Sequence, residues 1–152
     1  MKLAEALIKR ADIKNKAEQI KKRLAQNIKV QEDDEPIEDA KALFHQYNDL
    51  MDELHAVTKQ INYTNAHTKI DDSTIIDAIA NRDCLKVKIA TYREMIEKAS
   101  VLRDRGFGRE DTTKYVRCVD ISELQKQTDE MSRQYRQLDT KIQGLNWMTD
   151  LL

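Results

Sequence analysis

The sequence predicts a mainly α protein in which long antiparallel helices form hairpins, as a coiled-coil-like helical bundle. Apolar residues recur at alternating steps of three and four along most of the chain, the spacing of helices that bury one stripe. Charged residues make up 35% of the 152 residues, with only three glycines and one proline. This composition is typical of long helices with charged outer faces. From the length, we expect a single helical domain spanning residues 1–152.

The first helix is predicted over about residues 2–30. Its apolar stripe is Leu3, Leu7, Ala11, Ala17, Ile20, Leu24 and Ile28. The opposite face is rich in lysine and arginine. The acidic stretch QEDDEPIED follows, and Pro36 disfavours helical backbone at Glu35. The first helix must therefore end before this stretch.

Three further helices are predicted over about residues 39–65, 73–101 and 120–149. The second has the seam Ala40, Leu43, Tyr47, Leu50, Leu54, Val57, Ile61 and Thr64. The third has the seam Ile75, Ala78, Arg82, Leu85, Ile89, Tyr92, Ile96 and Ala99. The fourth has the seam Ile121, Leu124, Thr128, Met131, Tyr135, Leu138, Ile142 and Leu145. Asp120 followed by Glu123 is a capping signature for the start of the fourth helix.

A short extended or β-hairpin insertion is predicted before the last helix, near residues 103–118. Gly106 and Gly108 interrupt the helical pattern, and KYVRCV then alternates polar and apolar residues as strands do. A lone strand is not stable in water. The insertion therefore needs a partner in the same chain or in another subunit.

The polar run INYTNAHTKIDD between the second and third helices allows two interpretations. As a turn, Asn65 ends the second helix, and Thr68, Asp71 and Asp72 supply oxygens for the start of the third. As a buried polar layer, it would fix the register of the bundle. The residues of that layer are Asn62, Thr64, Asn65, Arg82 and Asp83.

The sequence contains no constellation typical of catalysis or of a cofactor site. Asp52 and His55 are the only carboxylate–histidine pair at the spacing of a di-iron bundle, which needs two such pairs. Glu94 and Glu97 lack the further carboxylates of a helical magnesium site. The glycine-rich loop that binds phosphate in P-loop proteins is also missing. We expect a non-enzymatic protein without catalytic residues, cofactor or metal, and a metal-dependent bundle enzyme is the weakest alternative.

The cysteines and the N-terminus predict a cytoplasmic protein. Cys84 and Cys118 lack metal or redox spacing, which favours free thiols, and Cys84 lies near a seam where we expect a buried, inert thiol. The N-terminus is amphipathic and has no export signal. No apolar run reaches the roughly 18 residues of a transmembrane helix.

Two basic regions are candidates for contacts with phosphate or a partner. One is the cluster Arg103, Arg105, Arg109, Lys114 and Arg117, interleaved with Phe107 and Tyr115. The other is the first helix, an amphipathic basic helix of the kind that lies on a membrane surface. The net charge of −1 disfavours nucleic acid as a partner.

Three stretches resemble the septicolysin or septicolysin-like family of small bacterial helical proteins. They are MKLAEALIKRADIKNKAEQIKKRLAQNIKVQEDDEP, INYTNAHTKIDDSTIIDAIANRD and VDISELQKQTDEMSRQYRQLDTKIQGLNW. The resemblance covers nearly the whole chain. The family name implies a membrane-active, pore-forming toxin, and it implies no catalytic or binding residues for this chain.

We expect the protein to act by self-assembly or partner binding, most simply as a homo-oligomer. A helix of about 30 residues is about 45 Å long and needs neighbours along its whole length. The alternative is a septicolysin-like cytolysin released as a toxin. It rests on the resemblance and on the basic first helix.

Overall fold

A computed structural model of the protein describes residues 1–102 and 115–152. The elements in chain order are α1 (Leu3–Asn27), α2 (Ala40–His67), β1 (Lys69–Ile70), β2 (Ser73–Thr74), α3 (Ile75–Ser100) and α4 (Ile121–Met148). The predicted mainly α class is confirmed, and every helix end lies within about three residues of its predicted position. Residues 115–119 precede α4 as irregular backbone. The rest of the predicted insertion lies outside the described residues.

The chain groups into two compact units. The first contains residues 1–76 and 143–152, and the second contains residues 77–142. The boundaries fall inside α3 and α4. The single domain expected from the chain length stays a prediction.

In the first unit, α1 and α2 pack as an antiparallel hairpin. Ile20 and Leu24 near the end of α1 form a buried cluster with Leu43 near the start of α2. At the other end, Lys9 Nζ lies 2.8 Å from a carboxylate oxygen of Glu53. The connection of residues 28–39 therefore returns the chain along α1, and apolar contacts line the shared face.

The seam of α1 differs from the predicted stripe. Ala11 and Ile28 are exposed, whereas Ile13 is buried. The buried positions that follow the heptad spacing are Leu3, Ala6, Ile13, Ala17, Ile20, Leu24 and Asn27. The sequence offers alanine and isoleucine in two helical phases, and packing against α2 selects this one. In α2, every predicted seam position is buried or half-buried.

The polar run between α2 and α3 forms the last turn of α2 and a small hairpin. Helix α2 continues past Asn65 to His67, so the predicted end at Asn65 is wrong. Strands β1 and β2 pair antiparallel and leave Asp71 and Asp72 as a two-residue turn. Asp71 has φ 49°, in the left-handed region that aspartate tolerates better than most residues. The hairpin connects α2 to α3.

Both ends of the described chain are held in the first unit by backbone hydrogen bonds. Leu3 N donates to Thr149 O at 2.9 Å, and Leu151 N donates to Met1 O at 2.9 Å. Leu152 N donates to Thr64 Oγ1 on α2 at 3.0 Å. The C-terminal segment is thereby attached to α1 and to α2.

Candidate functional site on the α3–α4 hairpin

Within the second unit, α3 and α4 form an antiparallel hairpin, which we call the α3–α4 hairpin. Arg82 Nη1 lies 3.2 Å from Asp139 Oδ1, and Arg93 Nη2 lies 3.5 Å from Ser132 Oγ. Later residues of α3 therefore lie beside earlier residues of α4, which is the antiparallel arrangement. This pairing places the predicted seams of the two helices against each other.

Only a few seam positions of this hairpin are buried: Ala78, Ile89, Thr128 and Ile142. The larger seam side chains remain half-buried: Leu85, Tyr92, Ile96, Leu124, Met131, Tyr135 and Leu138. Two helices in contact cover each other along one line only, so side chains that flank this line stay open to solvent. The hairpin therefore leaves part of its apolar seam uncovered.

The uncovered residues lie mainly on one flank of the hairpin, which we call the seam face. Helical spacing places Leu85 and Tyr92 of α3 and Met131 and Leu138 of α4 on this flank. Leu85 and Leu138 line a groove of about 640 Å³. The other residues lining this groove are Asn81, Gln134, Arg136, Gln137, Thr140 and Lys141. The seam face thus has an apolar centre and an edge rich in neutral amides.

Of the residues predicted for a polar layer, Thr64 has hydrogen-bond partners within the first unit. Thr64 is fully buried, and its Oγ1 donates to Gln60 O at 2.9 Å and accepts from Leu152 N. Asn62 is exposed and Asn65 is half-buried. The hydrogen bond from Leu152 N attaches the C-terminal segment to Thr64.

Arg82 occupies a seam position of α3 and binds two carboxylates. It reaches Asp83 Oδ1 from Nη2 at 2.8 Å and Asp139 Oδ1 from Nη1 at 3.2 Å. Partial burial pulls the pKa of Arg82 down, but its hydrogen bonds with Asp83 and Asp139 more than offset this and raise the pKa. Asp139 was missed from the sequence because its role depends on the register between the helices.

Arg117 is the one member of the predicted basic cluster that lies among the described residues. Its Nε donates to Ala99 O at 2.8 Å, so the guanidinium binds a carbonyl in the last turn of α3. A cation at this end of a helix also interacts favourably with the helix dipole. The other members, Arg103, Arg105, Arg109 and Lys114, lie outside the described residues.

Comparison with known proteins identifies the family. A family model described as "Family of unknown function (DUF6847)" matches residues 10–151. The chain belongs to the DUF6847 family. It is also similar to a solved structure titled "Crystal structure of a functionally unknown conserved protein from Corynebacterium diphtheriae". The two are 33% identical with a TM-score of 0.91, and the match covers 100% of this chain and 99% of the other.

No curated protein matches this DUF6847 chain. The resemblance to septicolysin is not tested by these comparisons and stays a prediction. What the comparisons do establish is the family and, through the solved relative, the helical fold.

Side-chain chemistry elsewhere in the DUF6847 chain is sparse. Across residues 1–102 and 115–152, His, Cys, Asp and Glu side chains do not gather in groups of three or more that could hold a metal ion. Cys84 and Cys118 are free thiols, and both are exposed, so the predicted burial of Cys84 is wrong. None of the described helices combines the length and apolarity needed to cross a membrane.

Proposed function

We propose that this protein is a non-enzymatic cytoplasmic protein that acts by self-assembly, with the seam face of one chain packed against the seam face of a second copy. The observation that carries the proposal is the half-buried state of large apolar seam residues such as Leu85 and Leu138. Covering such side chains contributes roughly 25 cal/mol for each Å² of apolar surface removed from water.

The size of the seam face suits a dimer interface. Residues 77–100 of α3 extend for about 36 Å at 1.5 Å per residue, and two helices side by side are about 20 Å wide. The face therefore offers about 700 Å², close to the roughly 800 Å² per partner of a standard-sized interface. An area of this size is sufficient for a specific complex.

The chemistry of the seam face suits a second copy as the partner. Asn81, Gln134 and Gln137 line its groove with neutral amides, beside the cations Arg136 and Lys141. An amide both donates and accepts, so it can pair with another amide across a twofold axis without charge repulsion. The apolar centre would then meet an identical apolar centre and form a four-helix core.

The test compares lysine substitutions on and off the seam face. Leu85→Lys and Leu138→Lys place a charge in the proposed interface, whereas Val87→Lys places the same charge at an α3 position that is already 67% exposed. Light scattering at about 100 μM should give twice the chain mass of 17.7 kDa for the wild type and for Val87→Lys. The two seam variants should shift to the single-chain mass because an unpaired charge is costly to bury.

Far-UV circular dichroism shows whether each variant remains helical, so that loss of assembly is separated from unfolding. A wild-type protein that stays at the single-chain mass at this concentration would contradict the proposal. So would a seam variant that remains folded and keeps the doubled mass.

The cytolysin alternative has weaker support. It requires the basic face of α1 to be available for a membrane surface. Lys9 pairs with Glu53 at 2.8 Å, and Arg23 pairs with Glu38, so part of that face is neutralised within the chain. These pairs favour packing of α1 in its own unit over adsorption to lipid.

A further inference from the structure

A second groove, of about 400 Å³, lies on the α3–α4 hairpin and shares Arg136 with the groove of the seam face. Three of the side chains that line it are cationic: Lys86, Arg93 and Arg136. Lys86 and Arg93 are seven residues apart and share one side of α3, while Arg136 comes from α4. Among the residues that the structure describes, none of these three cations has an ion-pair partner. We call this the basic groove.

Four carboxylates of α3 and α4 are bound to cations outside the basic groove. Asp83 and Asp139 contact Arg82 at 2.8 and 3.2 Å. Glu94 contacts Lys98 at 2.8 Å, and Glu130 contacts Arg133 at 2.6 Å. Glu97 and Asp129 are exposed and do not line the groove. The lining of the groove itself contains three cations and no carboxylate, which favours an external anion there.

The remaining groups in the groove suit an anion with several oxygens and an organic part. Ser132 contributes a hydroxyl 3.5 Å from Arg93 Nη2, and Tyr135 contributes a phenol. Guanidinium groups offer paired N–H donors that match the oxygens of phosphate, and lysine adds a point charge. Ile89, which is 93% buried at the base of the groove, and the Tyr135 ring provide apolar surface beside these donors.

We propose that the basic groove binds a phosphate monoester, with Lys86, Arg93 and Arg136 on the phosphate and Ile89 and Tyr135 against the organic part. The ester is either a free small molecule or the headgroup of a phosphatidate lipid, since both present the same phosphate. Lys86 and Arg93 do not line the groove of the seam face, whereas Arg136 lines both grooves. Arg93→Gln therefore tests the phosphate site separately from the proposed self-assembly.

The first experiment is calorimetric titration of the full chain with phenyl phosphate in about 0.1 M salt. We expect saturable binding of one molecule per chain. Arg93→Gln and Arg136→Gln should each raise the Kd at least about tenfold, because each removes charged hydrogen bonds to phosphate. Both side chains are exposed, so the variants should stay folded, which circular dichroism checks.

Lys88→Gln is the matched control, since it removes the same charge from an exposed position of α3 that does not line the groove. Its Kd should change less than about twofold. The proposal would be overturned if the protein showed no saturable binding to phenyl phosphate and did not sediment with phosphatidate vesicles. It would also be overturned if Lys88→Gln raised the Kd as much as Arg93→Gln does, because net charge alone would then explain binding.

Sedimentation with vesicles distinguishes the two sources of the phosphate. The vesicles contain phosphatidylcholine alone or with phosphatidic acid. Binding to phenyl phosphate without binding to either vesicle assigns a free small molecule. Binding to phosphatidate vesicles that is lost in Arg93→Gln and kept in Lys88→Gln assigns the lipid headgroup.

Discussion

Two buried threonines occupy equivalent seam positions but differ in their hydrogen bonds. Thr64 Oγ1 donates to Gln60 O at 2.9 Å, and Thr128 Oγ1 donates to Leu124 O at 2.7 Å, each four residues back in its own helix. Thr64 Oγ1 also accepts from Leu152 N at 3.0 Å. The hydroxyl at position 64 therefore serves tertiary structure, whereas among the described residues the one at position 128 bonds within its own helix.

We expect Thr64→Val to lower the free energy of unfolding by about 1 kcal/mol, because Leu152 N loses its acceptor. Thr128→Val, the matched control, should change it by less than about 0.5 kcal/mol, since the helix carbonyl keeps its backbone donor. Urea unfolding of the wild type and both variants measures the difference. Equal losses in the two variants would show that the bond to Leu152 contributes nothing to stability.

The sequence identified Thr64 and Arg82 as notable polar residues at seam positions, but it could not assign their partners. Heptad position shows that a side chain faces a neighbour. The identity of the atom it meets depends on the register and on chain segments far away in sequence. For Thr64 that atom is Leu152 N, and for Arg82 it belongs to Asp139.

At the scale of the elements, the connection between α1 and α2 is held by a small polar network. Glu38 accepts from Arg23 Nε at 2.8 Å, and its backbone N donates to Asn27 Oδ1 at 2.9 Å. Asp39 Oδ1 accepts from Lys41 N at 2.9 Å and caps α2. The hydrogen bond from Arg23 lowers the pKa of Glu38 below its ordinary value.

This lowered pKa predicts a loss of stability in acid. Because the folded-state pKa of Glu38 is below the unfolded-state value, its contribution is fully present above the unfolded pKa and is lost as pH falls through the folded one. Glu38→Gln should therefore melt below the wild type at pH 7, and the gap should close as pH falls from about 5 towards 3. Thermal melts across this range measure the gap.

Glu35→Gln is the control for that series, since Glu35 is an exposed carboxylate in the same connection. Its melting temperature should follow the wild type at every pH. A gap between Glu38→Gln and the wild type that stays constant in acid would show that the pair with Arg23 does not carry the effect.

The helices were the most predictable elements. The seams of α2, α3 and α4 follow the heptad pattern, and Asp120 caps α4 as predicted, with Oδ1 accepting from Glu123 N at 3.2 Å. The phase of α1 was not predictable because small and branched apolar residues fit two stripes. The β hairpin was not predicted because its turn, Asp71 and Asp72, lacks the glycine that usually marks such turns.

At the scale of the whole molecule, apolar periodicity shows where a helix has neighbours but not how many. The sequence pattern of Leu85 and Leu138 is the same whether one helix or three cover them. Their half-buried state is visible only once α3 and α4 are placed against each other. The sequence therefore identifies the residues of the seam face, but their partial exposure is known only from the structure.

Self-assembly through the seam face predicts that thermal stability depends on protein concentration. A partner that binds only the folded chain shifts the unfolding equilibrium by mass action. The melting temperature of the wild type should rise by several degrees between about 1 and 100 μM, and that of Leu138→Lys should not. Differential scanning fluorimetry measures both, and a wild-type value that is constant over this range would count against assembly.

The two exposed cysteines give the molecule natural attachment points for reporter groups. Cys84 lies on α3 and Cys118 just before α4, both within residues 77–142. A donor dye on one thiol and an acceptor on the other would monitor the hairpin without any change of sequence. If chains that carry only donors are mixed with chains that carry only acceptors, the growth of energy transfer would measure the rate at which copies exchange in the proposed assembly. Such mixtures need a reducing buffer until labelling, because accessible thiols can also join chains covalently.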